Sequence, residues 1–347
     1  MSRFVADAVE QAQLPVAILG GFLGSGKTTL LNALLRPPEM ADTAIAINEF
    51  GEVPIDQHLV EAESGTGPDR TVTMANGCLC CDLSGDLEGA VMRIFARREA
   101  GTLPRFARLL VEPSGLADPA PIAQALLRNP VLSRVLRLDV ILVTVDAAFG
   151  RGQLARHPEA RAQVGLADRL LVTKSDLAHP AELAALREDL SRLNPLAPFT
   201  EVRHGAADPA ALLPTRFLGK PGAPPPVVEW LSGLPLPAPH DHHHPHTEGT
   251  AALSLVSAAS PDWERFDAWF RRVRIEGGER LLRAKGLIGV PGQPGPVVVQ
   301  GVQHVLHPPV ALPSWPGGDR RSRLVLITDG LPHAPLRAGW DALFQAP

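Results

Sequence analysis

The 347-residue chain has no tyrosine, so every reaction that needs a phenol is excluded. Cysteine is scarce: the three present are Cys78, Cys80 and Cys81, an odd number crowded into four positions. That is poor material for a disulfide framework. In a reducing compartment it points to metal binding or redox chemistry. A basic excess is also missing. Lys and Arg number 33 against 37 Asp and Glu, a net charge of −4, which leaves no electrostatic footprint for nucleic acid. No apolar run reaches the roughly 18 residues that a membrane helix needs. The segment from Met1 to Leu14 carries Arg3, Asp7 and Glu10 and has no apolar signal core. The expectation is a soluble, cytoplasmic protein whose partners are neither nucleic acid nor membrane. The length suits two domains, each large enough to bury a core.

The first two-thirds of the chain alternate strand-like and helix-like stretches. Val16 to Leu19, Thr43 to Ile47, Leu109 to Val111, Val140 to Val143 and Leu170 to Val172 read as strands. Lys27 to Leu35 reads as a helix. Asp82 to Glu99 reads as another, with Leu87, Val91, Ile94 and Phe95 on one side. The expected fold class is α/β, with a mostly parallel sheet flanked by helices. Ligands of such sheets bind at the carboxyl ends of the strands. The composition changes between residues 218 and 250. The runs Pro221-Gly222-Ala223-Pro224-Pro225-Pro226 and Leu234-Pro235-Leu236-Pro237-Ala238-Pro239 read as a semi-rigid linker. Beyond it, strand candidates at Leu253 to Val256, Val297 to Val299 and Leu324 to Ile327 accompany a helix at Trp263 to Val273. That pattern predicts a smaller α+β domain. The predicted division is 1–217, 218–250 and 251–347.

Gly21-Phe22-Leu23-Gly24-Ser25-Gly26-Lys27-Thr28 has the spacing of a phosphate-binding loop, and it lies between a strand and a helix as that motif requires. Backbone N–H groups from Gly24 to Thr28 and on to Thr29 would face a β-phosphate at the helix N-terminus. Lys27 would bridge the β- and γ-phosphates, and the Thr28 hydroxyl would ligate Mg²⁺. Thr173-Lys174-Ser175-Asp176 follows a strand as the guanine motif Asn-Lys-x-Asp does. The Asp176 carboxylate would accept from guanine N1–H and the N2 amine, donors that adenine lacks as a pair. Lys174 would lay its stem over the base. Thr173 keeps one hydroxyl hydrogen bond where an Asn amide makes two. Two acids follow strands, Glu49 in Asn48-Glu49-Phe50-Gly51 and Glu112 in Glu112-Pro113-Ser114-Gly115. Either carboxylate would orient an attacking water, and the Gly115 N–H would meet the γ-phosphate. Asp146, also at a strand end, is given no role.

Cys78 and Cys80 face the same way on an extended segment. Cys81 joins them only if the backbone turns there, and Gly77 gives that freedom. Three thiolates suit Zn²⁺ first, then Co²⁺ or Cu⁺. The fourth ligand is open between Glu49, water and a histidine, and incomplete coordination suits transfer better than a closed structural site. Cys78 and Cys81 also form a Cys-x-x-Cys redox pair. His240, His242, His243, His244 and His246 make a flexible metal-attracting stretch within the linker.

These segments together resemble the CobW-type family of metal-handling P-loop GTPases. The residues that carry the resemblance are Gly20 to Thr29, Asn48 to Gly51, Gly77 to Cys81, Glu112 to Gly115 and Thr173 to Asp176. The stretch from Leu282 to Ile327, with Gln300-Gly301-Val302-Gln303-His304 and Trp315-Pro316, resembles the second domain of that family. The resemblance implies a GTPase of low intrinsic turnover that delivers a metal ion to a client metalloprotein. GTP, Mg²⁺ and Zn²⁺ or Co²⁺ would be its ligands. Two other classes remain in view: a passive metal buffer, and a P-loop enzyme with redox-regulatory cysteines.

Overall fold

Strand β1, Leu14–Gly21, is apolar throughout and buried from Pro15 onward, as expected of a parallel strand covered on both faces. It sits inside a seven-stranded sheet. The other strands are β2, Thr43–Ile47; β3, Thr71–Thr73; β4, Arg108–Glu112; β5, Leu136–Asp146; β6, Arg169–Thr173; and β7, Phe199–Val202. Their order is β3-β2-β4-β1-β5-β6-β7, and every pairing is parallel. The computed structural model describes residues 13–47, 71–73, 83–101, 105–203, 208–214, 249–316 and 319–345.

Parallel strands need crossovers, and here these are mostly helices. The crossover helices are α1, Lys27–Leu35; α2, Leu83–Glu99; α3, Ala120–Arg128; α4, Leu132–Val135; α5, Gly150–Arg156; α6, Pro158–Leu166; and α7, Pro180–Leu193, and a further helix, α8, Pro209–Leu212, follows β7. Leu30, Leu31 and Leu34 of α1 pack with Leu19, Ile45, Leu110 and Leu142 of the sheet in one core cluster. At about 25 cal/mol per Å² of apolar area buried, each such leucine contributes roughly 1.5–3 kcal/mol. Strands β4 and β5 flank β1, so the loops leaving them diverge around the loop that leaves β1. That is where open α/β sheets place their ligands.

The second unit is an antiparallel sheet. Its strands are β8, Thr250–Ser257; β9, Leu281–Ile288; β10, Val297–Val302; β11, Val305–Leu306; β12, Val310–Ala311; and β13, Ser322–Asp329. The order is β11-β10-β9-β13-β8, with β12 paired to β10. Two helices belong to it, α9 at Trp263–Gly277 and α10 at His333–Ala342. Asp262 caps α9 by accepting from the Arg265 N–H at 3.0 Å. Helix and sheet side chains form one core, including Leu255, Phe266, Phe270, Ile288, Leu324 and Trp340. Six aromatic rings belong to it or pack against it. Phe266 stacks on Phe270 at 5.5 Å, and Trp340 meets Trp269 edge-on at 5.8 Å and Phe344 at 5.3 Å. The expected α/β domain followed by a smaller α+β unit is what the chain forms. No helix among the described residues is long and apolar enough to cross a membrane.

Candidate functional site

The loop leaving β1 is held by three glycines at positive φ: Gly21 at 143°, Gly24 at 72° and Gly26 at 88°. Gly21 is the most constrained. A Cβ there would lie 2.0 Å from Thr144 Oγ1 and 2.8 Å from the Thr144 carbonyl, so the loop runs directly against β5. The Ser25 hydroxyl is buried and meets Thr144 Oγ1 at 2.6 Å. Its N–H closes a turn onto the Phe22 carbonyl at 3.1 Å. Ser25 therefore shapes the loop with both groups. The helix α1 begins at Lys27, so the N–H groups of Lys27, Thr28 and exposed Thr29 lie in its first turn, at the positive end of the helix. Together with the helix dipole they form an anion-binding cradle. Lys27 Nζ donates to the Gly21 carbonyl at 2.9 Å and to the Phe22 carbonyl at 3.3 Å, so the ammonium is held across the mouth of the loop.

Two neighbouring segments close on this cradle. Glu112 ends β4 and is 5% exposed; its Oε1 accepts from the Thr28 hydroxyl at 3.4 Å. Hydroxyl and carboxylate oxygens are hard donors, which fits Mg²⁺. In the loop after Glu112, the Ala117 N–H returns to the Ser114 carbonyl at 3.0 Å, and Asp118 Oδ1 caps α3 through the Ala120 N–H at 2.8 Å. Gly115 rests on the phosphate loop: a Cβ there would lie 3.0 Å from both the Leu23 nitrogen and its Cα.

The segment after β6 reaches the cradle from the other flank. The Thr173 hydroxyl donates to the Ser25 carbonyl at 2.7 Å. It thus ties β6 to the phosphate loop. Lys174 adopts φ 54°, and its Nζ donates to the Gly24 carbonyl and to Asp146 Oδ2, both at 2.7 Å. Asp146 is 1% exposed, and its Oδ1 accepts from the Ala148 and Phe149 N–H groups at 2.8 and 3.0 Å. This aspartate, given no role in the sequence reading, anchors Lys174. Its signal was its position at the end of a strand beside β6. Asp176 lies exposed two residues beyond Lys174. Gln153, His157 and Gln163 also reach the site's loops, and nothing in the sequence marked them. Gln153 Nε2 donates to the Leu23 carbonyl at 3.3 Å, and the His157 ring lies 4.6 Å from that of Phe22.

The structure thus brings Gly21, Gly24, Ser25, Gly26, Lys27, Thr28, Glu112, Gly115, Thr173 and Lys174 around one loop. Glu49, Cys78, Cys80, Cys81 and the stretch His240 to His246 lie outside the described residues, as does most of the Pro-rich linker. The strand ends beside Glu49 and the cysteines are described. Ile47 at the end of β2 pairs with Thr73 at the end of β3 and with Glu112 at the end of β4.

A parallel sheet alone would admit many activities. What narrows them is that the glycine loop leads into a helix whose first-turn hydroxyl meets a carboxylate from the neighbouring strand. That is the arrangement of a P-loop nucleoside triphosphatase. Residues 15–201 match the family described as CobW/HypB/UreG, nucleotide-binding domain, and residues 250–344 match the cobalamin synthesis protein cobW C-terminal domain. The chain therefore belongs to the CobW/HypB/UreG family of P-loop GTPases. It is 33% identical to the zinc chaperone YjiA of Escherichia coli over 95% of this chain and 98% of that one. It is 27% identical to the zinc chaperone CobW of a Sinorhizobium species, over 96% and 98% respectively. The Zn(II)-bound crystal structure of the YjiA GTPase superposes with a TM-score of 0.71 at 27% identity, covering 96% of this chain and 99% of that one.

Proposed function

We propose that the protein is a GTP-hydrolysing metallochaperone that binds a transition metal through Cys78, Cys80 and Cys81, with Glu49 as a further ligand, and delivers it to a client metalloprotein. One observation carries this reading: β3, β2 and β4 end in register at Thr73, Ile47 and Glu112. Cys78 follows Thr73 by five residues and Glu49 follows Ile47 by two. The cysteine segment and both acids therefore issue from adjacent strand ends, one of which carries the carboxylate that meets Thr28. The zinc-chaperone names of the relatives favour Zn²⁺, with Co²⁺ next.

In this mechanism the first-turn N–H groups of α1 and the Lys27 ammonium bind the phosphates. Thr28 and Glu112 are the residues that would hold Mg²⁺, which neutralises charge on the β- and γ-phosphates when bound. Glu112 or Glu49 orients the attacking water, and the Gly115 N–H faces the γ-phosphate. Asp176 selects guanine while Lys174 supports the base. Thr173 fixes β6 to the phosphate loop, which accounts for a threonine where the guanine motif has Asn. GTP orders the segments after β2 and β4 and draws the thiolates into one site; hydrolysis releases them. The two binding events are then reciprocally coupled. We assign residues 1–217 to the GTPase domain, 218–250 to the linker and 251–347 to the domain that recognises the client.

The test is anaerobic Zn²⁺ and Co²⁺ affinity by chelator competition, with and without Mg²⁺ and a non-hydrolysable GTP analogue. The expected result is at least tenfold tightening with the analogue, about 1.4 kcal/mol of coupling, lost in Cys80→Ser. Affinity indifferent to nucleotide would sink the proposal and leave a metal buffer or a P-loop enzyme with redox-regulatory cysteines.

A further inference from the structure

The helix α6 places the Gln163 side chain, 1% exposed, beneath the loop that follows Glu112. Its amide nitrogen donates to the Gly115 carbonyl at 3.2 Å and to the Ala117 carbonyl at 2.9 Å. The orientation of the amide follows from these partners. Two carbonyl acceptors require the NH₂ end, and a flipped amide would set three oxygens against one another. The other end, Oε1, is buried with no hydrogen-bond partner. An unsatisfied buried acceptor costs stability. A side chain that only filled space would avoid that cost by being apolar. The polar end is retained where its two hydrogens fork across the loop.

The fork has a defined consequence for the peptide units it grips. In a trans peptide the C=O and N–H point in opposite directions. Fixing the Gly115 carbonyl on Gln163 turns the Leu116 N–H away from α6, and fixing the Ala117 carbonyl does the same for the Asp118 N–H. On its other side the loop is stopped by the phosphate loop, where Gly115 meets the Leu23 backbone. Gln153, on α5, donates to the Leu23 carbonyl at 3.3 Å. Helices α5 and α6 therefore each hold one of the two loops through a glutamine amide.

We infer that Gln163 is a positioning residue for GTP hydrolysis: its amide fork fixes the Gly115–Ala117 backbone against the phosphate loop, so that the γ-phosphate meets a loop already ordered. The inference rests on the reading of this loop as the γ-phosphate sensor. GDP has no γ-phosphate and makes no demand on it. Gln163 should therefore discriminate between the two nucleotides, which a residue with a purely packing role does not.

The test uses the full chain and the variant Gln163→Met, which keeps length and volume and removes both donors. GTP turnover is measured together with the affinities for GDP and a non-hydrolysable GTP analogue. The expected result is a fall in kcat of about tenfold, with KM for GTP and the analogue dissociation constant both raised at least fivefold and GDP affinity within twofold. Wild-type kcat in the variant, or equal losses of GDP and analogue affinity, overturns the inference. Should Gln163→Met fail to fold, Gln163→Glu decides. Ionised, it presents only acceptors to two carbonyls; protonated, it regains one donor. Its kcat relative to wild type should rise as pH falls from about 8 to about 6, and a flat ratio overturns the inference. If wild-type protein binds GTP but does not hydrolyse it, the hydrolase reading of the site fails by itself. The positioning role is then judged on the ratio of analogue to GDP affinity alone.

Discussion

Replacing Asp146 by Asn isolates the ion pair that anchors Lys174. The new Asn keeps Oδ1, so the Ala148 and Phe149 N–H groups retain their acceptor. Oδ2 becomes an amide NH₂, and a donor then faces Lys174 Nζ at the place of a 2.7 Å charge-assisted bond. A hydrogen bond to a charged group contributes about 1.5–3 kcal/mol when dry. The Lys174 side chain is 38% exposed while that of Asp146 is 2% exposed, so solvent screens the pair and about 1 kcal/mol is the appropriate figure. Lys174 keeps its bond to the Gly24 carbonyl but loses the partner that fixes its head. The expected effect is a loss of up to about fivefold in GDP affinity, read by titration with a fluorescent GDP derivative, with the thermal midpoint lowered by about 2–4 °C. Lys174→Met should show a similar or larger loss, and the double variant should add little to it, because both changes remove one interaction. Wild-type affinity in Asp146→Asn, or fully additive losses in the double variant, would refute the argument that Asp146 acts through Lys174.

Two further outcomes follow from geometry described above. Gly21→Ala forces a Cβ to within 2.0 Å of Thr144 Oγ1 at φ 143°, so nucleotide binding should be abolished and stability lowered by roughly 1–3 kcal/mol; binding titration and thermal unfolding check both. His333, hydrogen-bonded to Thr328 at 2.9 Å, has its pKa lowered by burial first and by the Arg337 charge second. Its folded pKa lies below the unfolded value, so the unfolded chain binds more protons. Stability is full above about pH 6.5 and declines as pH falls from there through the folded pKa. Urea unfolding followed by circular dichroism should show that slope, and His333→Gln should flatten it.

The sequence was most legible where local chemistry and tertiary demand agree. The bounds of α1 and β2 coincide with the stretches expected, Lys27 to Leu35 and Thr43 to Ile47, because glycine geometry starts one and an unbroken apolar run makes the other. Strand β5 is longer than Val140 to Val143. It begins at Leu136, and the polar residues that hid its start are satisfied by each other, Arg137 Nε to Asp139 Oδ1 at 2.9 Å. Strand β9 escaped notice for a related reason. Arg283 and Lys285 alternate with apolar residues, as on a half-exposed strand, yet all eight residues are buried. Burial of those cations is decided by neighbours remote in sequence. At the site, Lys27, Thr28 and Glu112 were readable from spacing alone. Gln163 was not, since a lone glutamine in a helix carries no pattern, and its importance arises only where α6 passes beneath a loop nearly fifty residues upstream.

The aromatic core of the second unit has an optical consequence. All five tryptophans lie at or beyond residue 230, three of them, Trp263, Trp269 and Trp340, in or against that core, and the chain has no tyrosine. Residues 1–229 are thus dark to selective indole excitation. Intrinsic emission observes the linker and the second unit only. A change in that emission on adding nucleotide to the unlabelled protein would report altered surroundings of tryptophans outside residues 1–229.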